Sequence, residues 1–142
     1  RENLLQGPAA AANFVPLTSD AGTPEEGVAA VAEATAGLAW PASVVILGMG
    51  GDGHTASLFP DSQELGLALS TDEPLVAVRT PSQPQPRITF SADRLHQAKR
   101  HILHITGDDK RAVLANAMGG DDVRTLPIRA FLSCPLAIYW AP

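Results

Sequence analysis

Basic residues are too few to dominate this chain. Ten Lys+Arg stand against fifteen Asp+Glu, a formal net charge of −5, which argues against nucleic acid or an anionic membrane as the main partner. Any anionic ligand must then be held by a local site. Cysteine is nearly absent: Cys134 stands alone among 142 residues, so there is no disulfide framework, and a reducing, cytoplasmic setting is expected. No apolar run reaches the roughly 18 residues of a spanning helix, because Pro, Gly or charge interrupts each one, and a soluble protein is expected. The start shows no basic segment followed by an apolar one and opens Arg1-Glu2 without Met, so the chain is expected to begin inside a longer protein. What is present is 45% hydrophobic residues, with aromatics only 5% of the chain. That suffices for one compact domain spanning residues 1–142, which should bury roughly 70% of its extended surface without disulfides or structural metal.

Strand and helix signals alternate along the sequence. Arg1-Glu2-Asn3-Leu4-Leu5 reads as the last turns of a helix stopped by Gly7-Pro8, where no helix can usefully begin. Asn13 to Leu17 is a short strand or extended segment. Thr23-Pro24-Glu25-Glu26 is a helix start, with Thr as N-cap, Pro at the first helical position and Glu closing a capping box. The Ala-rich stretch from Val28 to Leu38 continues that helix to near Gly37. Ser43-Val44-Val45-Ile46-Leu47 is a continuous apolar run, the pattern of a strand buried on both faces of a parallel sheet. Further strands are expected at Leu75–Arg79, Arg87–Phe90, His101–Thr106 and Leu136–Trp140, with a Pro-rich loop from Pro81 to Pro86. Helices are expected at Ala92–Ala98 and from Gly107-Asp108-Asp109 through Met118, the latter closed by Gly119-Gly120. The alternation predicts an α/β fold with an open, mostly parallel sheet and helices on both faces.

The most informative segment is Gly48-Met49-Gly50-Gly51-Asp52-Gly53-His54-Thr55-Ala56-Ser57-Leu58-Phe59-Pro60, directly after a strand. In open α/β folds ligands sit beyond the carboxyl ends of strands. Glycines there allow positive φ and leave backbone N–H groups free to face an anion or a developing oxyanion. Gly48, Gly50 and Gly53 also satisfy G-x-G-x-x-G, but a dinucleotide site needs a long helix after the third glycine, and Pro60 leaves room for only a turn or two. It also needs an acid after the next strand, where Thr80-Pro81 stands instead. His54 has two readings: a cap on a short helix, or a general base with Asp52 two positions away. Imidazole, with an ordinary pKa near 6.5, is largely neutral at pH 7 and suits the second role.

Other constellations carry less. His101 and His104 differ by three on a predicted strand and point to opposite faces, so with His96 they read as surface or strand-edge histidines rather than metal ligands. Cys134 before Pro135 lacks flanking cations and reads as a buried, inert thiol. No G-x-S-x-G elbow is present. Asp121-Asp122 reads as a solvated turn, and Trp40 and Trp140 as packing residues.

The run GMGGDGHTASLFP resembles the signature of the 6-phosphogluconolactonases, within the larger family that includes the glucosamine-6-phosphate deaminases. Asp52 and the residues after His54 look like the lactonase version. Pro86-Arg87-Ile88-Thr89, Gly107-Asp108-Asp109-Lys110 and Leu136-Ala137-Ile138-Tyr139-Trp140 fall in the order the family shows, so the resemblance covers nearly the whole chain. It implies the C-terminal part of a longer lactonase, since the family's Gly-rich phosphate loop and Asp-Glu-Arg segment are not in this sequence. It also implies a Rossmann-like fold and hydrolysis of 6-phosphoglucono-δ-lactone to 6-phosphogluconate without metal or organic cofactor. His54 would be the base and Asp52 its orienting group, with amides of Gly50, Gly51 or Gly53 on the oxyanion. Lys110 at a helix start would hold the phosphate with the helix amides, offsetting a dipole that otherwise disfavours a cation; its alternative is solvated charge. Arg87, after a proline-stiffened loop, would contact substrate or serve as a surface cation at a strand end. A lysine frequent in that family loop is missing here. Two rivals stand beside the lactonase: an amino-sugar-phosphate deaminase or isomerase, and a non-catalytic sugar-phosphate-binding module.

Overall fold

The computed structural model describes residues 5–142. The helix end expected at the amino terminus falls on residues 1–4, outside the described residues. A short 3-10 turn, Gly7–Ala9, forms where the Gly-Pro pair was expected only to stop a helix, with Gly7 in the left-handed region. Residues 13–17 pair with no strand.

Helix α1 runs Pro24–Thr35, and its start matches the sequence signal. Thr23 Oγ1 accepts the Glu26 amide at 3.3 Å with Pro24 behind it, which satisfies one of the donors a helix leaves open at its beginning. Its buried side, Gly27, Val31 and Thr35, packs on a hairpin formed by β2 (Leu75–Thr80) and β3 (Gln83–Phe90). The Pro-rich stretch is therefore half strand. Pro84 and Pro86 lie in β3, which has a partner on one side only, so their missing N–H groups cost no ladder bond on the open edge. The pairing is antiparallel and shifts register between Val78 and Thr80. This hairpin is a sheet of its own.

The second sheet has three parallel strands in the order β1 (Val45–Leu47), β4 (His101–Thr106), β5 (Leu136–Ala141). The fold class is α/β with a mostly parallel sheet, as expected. The first strand departs from expectation. Only Val45–Leu47 is paired, and Val44 and Ile46 are 43% and 68% exposed. The apolar run signalled burial on both faces, but β1 has one strand neighbour and, among the described residues, one covered face. In register with Ile46 are Ile102 and Ala137, and Tyr139 beside them is also exposed. Among the described residues, helical cover lies on the face of His101, Leu103 and Ile105.

That covered face holds the core: Leu58, Phe59, Leu103, Leu114, Ile128 and Phe131 are all buried. Helices α3 (Ala92–His96) and α4 (Asp108–Met118) stand close to their expected spans. Two short helices, α2 (Leu65–Ser70) and α5 (Arg129–Leu132), had no sequence signal. Gly119 and Gly120 close α4 as expected, their amides donating to the Asn116 and Ala117 carbonyls at 3.1 and 3.4 Å with Gly119 at φ −86°; Arg129 donates to the same two carbonyls. His101 and His104 do point to opposite faces. However, His101 is neither surface nor edge: β4 is the central strand, and the ring is buried with Nε2 3.0 Å from the Leu95 carbonyl. Among the described residues no helix is long and apolar enough to cross a membrane.

Candidate active site

The segment leaving β1 turns back on itself at once. The Gly50 amide donates to the His54 carbonyl at 2.9 Å and the Gly53 amide to the Gly50 carbonyl at 3.1 Å. Thr55 Oγ1 donates to the Gly48 carbonyl at 2.8 Å. Gly53 has φ +75°, and a methyl group there would lie 2.5 Å from Leu126 Cδ2, so both conformation and space require glycine. At Gly50 the reason is different: a methyl would collide with the His54 ring and the Asp52 carboxylate, which fold over that bare Cα. After Gly53 there is no helix. The chain makes a turn from Thr55 to Leu58, with Ala56 at φ +50°, then drives Leu58 and Phe59 into the core. His54 is therefore not a helix cap, and the G-x-G-x-x-G pattern lacks the helix a pyrophosphate would use.

Asp52 and His54 form a pair. Asp52 Oδ1 accepts from His54 Nδ1 at 2.6 Å and from the His54 amide at 3.1 Å. An ionised carboxylate only accepts, so in a neutral imidazole the facing Nδ1 carries the proton and Nε2 the lone pair. The His54 ring lies on Phe59, centroids 4.3 Å apart, and the side chain is 28% exposed. Packing below and a carboxylate beside it fix the imidazole while its rim remains open to solvent.

The two predicted cations both come to this loop. Arg87 also sits over the Phe59 ring, its Cζ 5.7 Å from the centroid. It lines a cavity of about 410 Å³ with Thr18, Ser19 and Ser57, to whose walls neither His54 nor Asp52 contributes. Lys110, in the first turn of α4, reaches back so that Nζ donates to the Met49 carbonyl at 2.9 Å. An ammonium has three donors, so this bond leaves others available.

The loop amides are not equivalent. Those of Gly50 and Gly53 are spent inside the loop, whereas the Gly51 amide has no acceptor among the described residues, and the space around its Cα is open. Among the three glycines expected to offer an N–H, Gly51 is the one with a donor free.

Several contributors had no sequence signal. Phe59, the floor under His54 and Arg87, read as one more apolar residue of a motif. The Leu126-Pro127-Ile128 segment supplies the Ile128 amide to the Gly53 carbonyl at 2.9 Å. Its only trace in sequence is an apolar triplet between polar neighbours. Nearby carboxylates serve structure. Asp61 accepts from Thr80 Oγ1 and from the Ser82 amide at 3.0 Å, pinning the hairpin tip, and these bonds, Thr80's foremost, hold its carboxyl below the ordinary range. Burial would raise Glu64, but bonds from Ser62 Oγ and the Arg79 amide outweigh it and the net direction is down. Burial pushes the Cys134 thiol up, and its Sγ lies 2.9 Å from the Phe131 carbonyl, as expected of an inert thiol. Trp40 packs on Phe90 and Trp140 donates to the Gly107 carbonyl.

Comparison with known proteins places this geometry. Over residues 1–140 the chain matches the family described as glucosamine-6-phosphate isomerases/6-phosphogluconolactonase. It is 44% identical to a 6-phosphogluconolactonase of Rhizobium meliloti over 99% of this chain and 63% of that protein. With a 6-phosphogluconolactonase of Pseudomonas aeruginosa the identity is 41%, covering 100% of this chain and 60% of the relative. The crystal structure of a 6-phosphogluconolactonase from Shewanella baltica superposes with a TM-score of 0.95 at 39% identity, covering 99% of this chain and 62% of that one. The chain thus spans about three fifths of the length of these relatives. By its matched span, its identity to these relatives and its fold, the chain belongs to the glucosamine-6-phosphate isomerase/6-phosphogluconolactonase family.

Proposed function

We propose that the protein hydrolyses 6-phosphoglucono-δ-lactone to 6-phosphogluconate, with His54 as general base. The observation that carries this is the 2.6 Å bond from His54 Nδ1 to Asp52, which leaves Nε2 as the basic nitrogen at an accessible rim. Nε2 takes a proton from water as the oxygen attacks the lactone carbonyl carbon. The resulting oxyanion faces the Gly51 amide, which alone among Gly50, Gly51 and Gly53 has no acceptor among the described residues. Collapse of the tetrahedral intermediate breaks the bond to the ring oxygen, which recovers the proton from the imidazolium, and the product leaves as an open-chain acid. Asp52 keeps the imidazole in one tautomer and steadies its charged form. Its nearest analogy is the acid of a hydrolytic triad, here without a protein nucleophile.

The phosphate is assigned to Lys110 and the first amides of α4, where the helix dipole and an ammonium already tied to the loop both favour an anion. Arg87, which shares the Phe59 ring with His54, is assigned to the rest of the substrate. The test is lactone turnover by the whole protein and its His54→Ala variant. Loss of a positioned base should slow hydrolysis by about a hundredfold or more while the melting temperature stays near that of the parent. Unchanged turnover removes His54 from the chemistry.

A further inference from the structure

Arg129 opens α5, and its guanidinium is spent on three backbone carbonyls and one hydroxyl. Nε donates to the Ala117 carbonyl at 3.0 Å and Nη2 to the Asn116 carbonyl at 3.1 Å, both in the last turn of α4. Nη1 donates to the Asp122 carbonyl at 3.0 Å and to Thr125 Oγ1 at 2.9 Å, both in the turn that follows. One planar fork therefore joins the Gly119 and Gly120 amides on the helix end and ties it to the turn leading into Leu126-Pro127-Ile128. No carboxylate pairs with it among the described residues.

That turn is what touches the glycine loop. The Ile128 amide donates to the Gly53 carbonyl at 2.9 Å, and Leu126 closes the space beside Gly53. Gly53 in turn donates to Gly50, and Gly50 to the carbonyl of His54. A continuous set of contacts runs from Arg129 through residues 122–128 to the backbone that carries the imidazole. At the other end of the loop, Lys110 of the same helix holds the Met49 carbonyl. The loop is clamped at two carbonyls, and both clamps are anchored in α4.

We infer that Arg129 is a positioning residue for His54: by fixing the α4–α5 turn it sets the Ile128–Gly53 bond and so the placement of the base. The inference rests on the reading of His54 as that base. Lysine at this position offers point donors in place of a fork and cannot reach both the helix end and the turn in the same geometry.

Arg129→Lys and Thr125→Ala decide the matter, with turnover measured in the whole protein across pH and amide hydrogen exchange followed at Ile128. A displaced base should lower kcat roughly tenfold to a hundredfold with KM within about twofold. Arg129→Lys should also move the limb of the pH profile that reports His54 and speed exchange at Ile128. Thr125→Ala, which removes one of the bonds, should change the same readings less and in the same direction. A folded Arg129→Lys protein with parental kcat and pH profile overturns the inference. So does one that melts earlier and turns over more slowly while its pH profile and Ile128 exchange stay unchanged. Should Arg129→Lys not fold, Thr125→Ala decides by the same readings. Absence of lactone turnover in the parent protein defeats the hydrolase reading instead, and Ile128 exchange in the variants then decides whether the brace exists.

Discussion

A glycine is often credited with flexibility, yet at Gly50 its value is the absence of a side chain. The His54 ring and the Asp52 carboxylate occupy the place a Cβ would take. These are the ends of accessible side chains, so Gly50→Ala can be accommodated by swinging them aside at small cost to the fold. The cost falls on geometry. Gly50→Ala should keep its melting temperature within a few degrees while losing about a hundredfold in turnover, because small misplacements of a catalytic group have effects of that size. Parental turnover in this variant would show that the Asp52–His54 arrangement does not matter. At this scale the sequence was informative: the order Gly50, Asp52, Gly53, His54 already named the participants. What it did not reveal was which amides remain free, because that depends on where Gly50 and Gly53 send their hydrogen bonds. The reach of Arg129 is likewise invisible in a sequence where it is one basic residue among ten.

Among the elements, legibility follows the locality of the forces. The start of α1 is written in four consecutive residues, and the Thr23–Glu26 bond confirms the cap. Removing that cap in Thr23→Ala should cost about 1 kcal/mol, seen as a lower denaturation midpoint at unchanged slope; a cost near zero would mean that packing on the hairpin alone fixes α1. Strand β4 also stands where alternation placed it. The misreadings share a cause, namely neighbours supplied from far away in sequence. The Ser43–Leu47 run looked doubly buried, but its exposure is set by how many strands and layers lie beside β1. The proline-rich stretch looked like loop because a ladder position with an open outer edge cannot be seen locally. Helices α2 and α5, six and four residues long, are too short for a periodic pattern to emerge. His101 is buried because β4 became the central strand, and its carbonyl partner on α3 is a tertiary fact.

In the molecule as a whole, an acidic chain places Lys110 on the Met49 carbonyl and Arg87 near the Phe59 ring, so the proposed attraction for a phosphorylated substrate is local rather than a property of net charge. The acidic residues leave a mark on stability. Asp61 and Glu64, whose ordinary values are 3.8 and 4.5, are both held lower in the fold. A depressed carboxyl stabilises the folded state above its unfolded value, and that contribution disappears as pH falls through the folded one. Stability should therefore be level near neutrality and decline as pH drops below these ordinary values. Asp61→Asn should flatten part of the decline by lowering the neutral plateau; an identical profile in that variant would show that the hairpin clamp contributes nothing.

The account turns on which nitrogen of His54 carries the proton. Nitrogen-15 spectra of the neutral imidazole distinguish the two tautomers directly. The prediction is the Nδ1–H form in the parent protein, giving way to a mixture in Asp52→Asn. A parent ring protonated at Nε2 would contradict the account, since the nitrogen meant to accept the proton from water would already hold one.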